Sequence, residues 1–255
     1  MVYVMGTSVF FNRKSLTGIS SYPIALESTV SKLFSNEKLQ RILQVVERQV
    51  GKIKIEVTNC NGNKALWSWK EKTIKLDTSL LNGSAENQLA YLVFELFNAL
   101  QTSEFKRLVE ETSDVEELVL NVEILEHKSA LKTKEIIPQI VGESAEFAFK
   151  YIDPEFKYHY ALDQISGHAE WLARSYFPAQ SYRGNLFHPI ASLDKKAREL
   201  LYALLYYKMR KTPIPKKDKS SQDINFDKIM SALKENSPFD TTTRKVLDCA
   251  NHLFL

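Results

Sequence analysis

The chain has 255 residues, 44% hydrophobic and 25% charged, the composition of an ordinary soluble protein with enough chain for one large domain or two modest ones. Its 34 basic and 31 acidic residues leave a net charge of +3, too small to argue for a general nucleic-acid or membrane surface. Two distant cysteines, Cys60 and Cys249, without a C-x-x-C companion, argue against a zinc knot or disulfide framework and fit a reducing compartment.

Residues Met1 to Gly6 lack the basic and apolar regions of a secretory signal, and no uncharged run reaches the ~18 residues that span a bilayer. The expected setting is the cytoplasm, or a host cytosol reached through a signal-independent secretion system. Residues 1–22 mix apolar residues with Ser, Thr, Gly and Asn without a period, which predicts an irregular or loosely strand-like arm. Behind Ser35-Asn36, the residues Leu39, Ile42, Leu43, Val46 and Val50 recur at helical spacing and Gly51 supplies a stop, predicting a helix over 36–50.

Ile53, Ile55 and Val57 alternate with polar residues, as in a half-buried strand, and Asn59 to Asn63 is turn chemistry. Leu66–Trp69 and Thr73–Leu76 read as two further strands joined near Lys70-Glu71-Lys72, giving a short antiparallel meander. Ser84 is the candidate N-cap of an apolar helix running to about Ser103. Residues 104–126 carry eight acidic residues outside a helical stripe of Val115, Leu118, Val119, Val122 and Leu125, an amphipathic helix with an acidic face.

Pro138 and Gly142 interrupt the next segment, and Asp153-Pro154 marks another break. Residues 151–182 are the aromatic centre of the chain, read as packing of a helical layer or as the lining of a partner groove. A helix is expected over 193–209, a basic linker over 208–220 and two short helices over 224–235 and 241–253. No phosphate-cradling glycine loop or dinucleotide fingerprint occurs, which disfavours nucleotide enzymes.

The candidate chemistry sits on the helix after Ser84. Helical spacing puts Gln88, Tyr91, Glu95, Asn98 and Thr102 on one polar stripe, with apolar residues around the rest. A carboxylate buried there would need hydrogen-bond partners or a raised pKa, the preparation of many general acids and bases.

The succession of helix, strands and a helix reading Phe94-Glu95-Leu96-Phe97-Asn98 resembles the core of the zincin metalloproteases, over about residues 36–127. In that family the helix reads H-E-x-x-H, so the resemblance sets Glu95 on the general-base Glu and Phe94 and Asn98 where zinc ligands belong. Phenylalanine has no lone pair and an amide oxygen is a poor substitute for imidazole, so no metal and no cofactor are expected. A third zincin ligand often follows on a later helix, and a relocated site could draw on Glu95, Glu123 and His127.

The resemblance implies an α+β fold: a zincin-like domain over 23–150 with a short antiparallel sheet, then a mainly helical region over 151–255 sharing its core. It implies a catalytically degenerate metalloprotease-like protein that acts by binding another protein, as a bacterial effector or toxin would. The alternative is a non-zinc hydrolase or deamidase with Glu95 as acid/base and Asn98 or Tyr91 orienting substrate. An open cleft at Glu95 favours the enzyme, and a sealed Glu95 opposes it. Cys60 with His159 or His168 is a further nucleophile–base candidate, against which stands its place in an Asn/Gly-rich turn.

Overall fold

The computed structural model describes residues 18–141, with 149, 152, 154–156, 159–160, 163 and 167–176. The expected helices over 193–209, 224–235 and 241–253, the linker over 208–220 and residues 1–17 of the arm lie outside the described residues. The described part is mixed α/β, mostly helical with one four-stranded sheet. The chain divides into two compact units: the first runs to Glu111 and resumes over Ile124–Ile152, and the second takes Thr112–Glu123 and the chain from Asp153.

The sheet of the first unit has strands β1 (Ile19–Ser21), β2 (Ile53–Thr58), β3 (Ala65–Ser68) and β4 (Thr73–Asp77), in the order β1-β2-β4-β3. β1 and β4 both run parallel to β2, and β3 is an antiparallel edge. This corrects the expected antiparallel meander. The turns fall where the sequence signals them, but the 59–63 turn carries the chain past the neighbouring position to the edge. The hairpin after β3 then brings β4 back between β2 and β3, pointing along β2. Burial accounts for the choice: Ile74 and Leu76 of β4 are wholly buried and suit a central strand, whereas every residue of β3 is half-buried.

Six helices accompany the sheet among the described residues: α1 (Glu27–Ser35), α2 (Glu37–Val50), α3 (Ala85–Leu100), α4 (Thr102–Glu111), α5 (Val115–Val141) and α6 (His168–Tyr176). α2 matches its expected span, with Asn36 Oδ1 accepting the N–H groups of Lys38 and Leu39 at 3.0 and 3.2 Å. α1 has no counterpart among the expected elements, and β1 lies in the arm read as irregular or loosely strand-like. β1 depends on Gly18, whose φ is +80° and where an added Cβ would lie 2.9 Å from the Leu43 carbonyl oxygen.

α3 is packed against α1, α2, β3 and β4 and buries Leu89, Leu92, Val93 and Leu96 completely. It ends at Leu100, short of the expected Ser103, because the Thr102 hydroxyl takes the Ala99 carbonyl at 2.7 Å and Gln101 turns out of the helix. The single acidic helix expected over 104–126 is two, α4 and α5, broken at 112–114 where Asp114 caps α5 by accepting the Glu117 N–H at 2.8 Å. Pro138 does not interrupt α5 as expected. Ile137 is wholly buried and Ile136, Ile140 and Val141 pack against the core, which holds the helix through the missing N–H.

Candidate functional site

Of the polar stripe of α3, Gln88, Glu95 and Thr102 are buried and Tyr91 and Asn98 are half-buried. Gln88, Glu95 and Thr102 are 6%, 2% and 6% exposed. Gln88 accepts from the Thr29 hydroxyl at 2.6 Å and donates to the Leu80 carbonyl at 3.1 Å, while Thr102 accepts from the Trp67 indole at 2.9 Å. Between them, the Asn98 amide donates to Glu95 Oε2 at 3.1 Å. Tyr91, one turn earlier, lies edge-on to the Phe149 ring at 5.3 Å, and burial raises its phenol pKa.

The three sequence-predicted site residues therefore lie along one helix face, and two of them, Glu95 and Asn98, are in contact. Their surroundings do not suit zinc. Phe94 stacks on Phe149 at 4.8 Å, and the Asn98 amide is turned to Glu95 as a donor. Glu95 is 2% exposed, so a general acid or base there would reach a substrate only after its surroundings move.

Cys60 is buried at the start of the 59–63 turn, and its thiol is pushed up to about 11, first by burial and then by the Asp77 and Glu95 charges. Such a thiol is protonated at neutral pH and makes a poor nucleophile.

In the second unit, a different constellation forms around Glu123, a wholly buried residue of α5. His168, the first residue of α6 behind the positive-φ Gly167, places Nδ1 2.9 Å from Glu123 Oε1. Its ring is stacked on Trp171 at 5.6 Å. His159 Nε2 lies 2.8 Å from Asp163 Oδ2 and 3.8 Å from Glu123 Oε2. One donor atom each from Glu123, His159 and Asp163 falls within 4.8 Å of the others.

Burial works to raise the Asp163 pKa, but the His159 hydrogen bond, the charges of His159 and His168 and a hydrogen bond with Glu123 hold it below the usual range. Two ionised carboxylates this close would repel by roughly 3–4 kcal/mol at an effective dielectric near 20, a cost that a proton between them or nearby positive charge offsets.

In the sequence Glu123 stands as a late zincin ligand and His159 and His168 as partners of Cys60, while Asp163 has no expected role. Glu123 and His127 are both buried, not side chains of a solvated acidic face. The signal that could have found the constellation is His159-x-x-x-Asp163, one helical turn apart, with Gly167-His168 after it.

No protein-family model, curated protein or solved structure matches this chain. Among the described residues, no helix is long and apolar enough to cross a membrane.

Proposed function

We propose that this chain is a metalloprotease-like protein without protease chemistry, which acts by binding another protein. The observation that carries the reading is the state of Glu95: buried, hydrogen-bonded by Asn98, and preceded by a Phe94 that stacks on Phe149. The residues that would hold zinc and admit water in a working site are here used for packing.

The element best suited to a partner is β3. It is one of the two sheet edges among the described strands, opposite β1, and the Lys64 carbonyl accepts the Asp77 N–H at 2.9 Å on its inner side. Alternation along an antiparallel ladder then turns the backbone groups of Ala65 and Trp67 outward, the arrangement an extended segment can pair with. Lys70 and Lys106 stand 5.3 and 4.8 Å from the Trp69 ring beside that edge, so the matching segment is an acidic one.

Two assays test this. Wild type and Glu95→Gln are expected to show no turnover of unfolded protein or of glutamine- and asparagine-containing peptides; turnover in wild type that Glu95→Gln abolishes would establish the hydrolase or deamidase instead. In fluorescence anisotropy, acidic β-prone peptides are expected to bind wild type and to weaken roughly tenfold, ~1.4 kcal/mol, with Ala65→Pro or Lys106→Glu. Ala65→Pro removes an outward donor and leaves the ladder to β4 intact, so unchanged binding in that variant would rule the edge out.

A further inference from the structure

We propose that Glu123, His159 and Asp163 form a divalent metal site in the second unit, with Zn²⁺ the fitting ion and His168 the residue that orients Glu123. The site is separate from the Glu95 helix and does not depend on the reading given for it.

Geometry comes first. Zinc bonds of ~2.0–2.1 Å in a tetrahedron set neighbouring ligand atoms ~3.3 Å apart. The His159–Asp163 and His159–Glu123 separations of 2.8 and 3.8 Å fall on either side of that spacing. All three donor atoms lie within 4.8 Å, a gap that small side-chain rotations close.

The donors are also held in place. The His168 ring nitrogen at Glu123 Oε1 leaves Oε2 to face His159, which is the usual relation between a ligating carboxylate and its outer hydrogen-bond partner. Stacking on Trp171 fixes the His168 ring in turn.

Donor chemistry selects the ion. One imidazole and two carboxylates with no thiolate suit zinc, with manganese or ferrous iron as competitors, and the imidazole disfavours magnesium and calcium. A dication also balances the buried Glu123 carboxylate and the half-buried Asp163 carboxylate. The Asp163 and His159 side chains are 22% and 13% exposed, so water can complete the coordination. The ion would tie the first turns of α5 to the 159–168 segment, a staple within this unit.

The test is metal content and titration of the full chain. After dialysis against micromolar zinc, wild type and Glu95→Gln are expected to carry one equivalent by mass spectrometry of the metal, and Asp163→Asn, Glu123→Gln and His159→Gln to lose it. Chelation should lower the wild-type Tm by several degrees and leave the Tm of Asp163→Asn unmoved. In case these variants fold poorly, zinc added to wild type should shift the ring-proton resonances of His159 and His168. Less than a tenth of an equivalent in wild type, metal retained by all three variants, or unshifted His159 resonances would each overturn the site. Loss of zinc in Glu95→Gln alone would place it on α3 and contradict both this inference and the proposed function.

Discussion

Asp77 shows how much one side chain can organise. At the end of β4 its two carboxylate oxygens accept the Cys60 N–H and the Ser79 N–H, each at 2.9 Å, fastening the 59–63 turn to the helical turn that leads towards α3. The Cys60 N–H first, then the side chain and N–H of Ser79, lower its pKa from 3.8 to about 2. A carboxylate whose folded pKa lies below its unfolded value stabilises the fold above the unfolded value and loses that contribution on acidification. The stability advantage of wild type over Asp77→Asn is therefore expected to be complete above about pH 4 and to vanish as pH falls towards 2. Urea midpoints measured across that window check it, and a constant difference would show that Asp77 acts through geometry alone. Glu95 illustrates the opposite limit of legibility: its helix position was plain in the sequence, but whether the carboxylate meets solvent depends on Asn98 and on chain distant in sequence, such as Phe149, whose ring covers neighbouring Tyr91 and Phe94.

At the scale of elements, local chemistry decided α2 and the strands, and tertiary packing decided their partners. Asn36 caps α2 with two accepted N–H groups and Gly51 ends it at φ +88°. Asn36→Ala is expected to cost about 1 kcal/mol in chemical denaturation, the usual value of such a cap, without changing activity or binding. The 53–58, 65–68 and 73–77 strands were readable because alternation and turn residues are local signals. Their order was not, since the parallel β2–β4 pairing follows from the deep burial of Ile74 and Leu76 rather than from any turn. α5 gives the same lesson at Pro138, where local propensity called for a break and the burial of Ile137 overrode it.

Across the whole molecule, buried polar side chains join elements that sequence distance separates. Gln88 links α1 through Thr29 to the Leu80 turn before α3, and all three groups are buried. Gln88→Ala removes the acceptor of the buried Thr29 hydroxyl and one of two donors to the Leu80 carbonyl, which keeps the Gly83 N–H at 3.0 Å, and is expected to destabilise the first unit by roughly 1–3 kcal/mol, read from thermal or urea unfolding. By itself, the sequence determined α2, the strands over 53–58, 65–68 and 73–77 and the buried apolar helix after Ser84, because periodicity, turn chemistry and capping are properties of neighbouring residues. The sealing of Glu95, the insertion of β4 and the meeting of Glu123 with His159, Asp163 and His168 were left to the tertiary structure. Each of these unites groups tens of residues apart, and only the burial of apolar surface determines which distant groups meet.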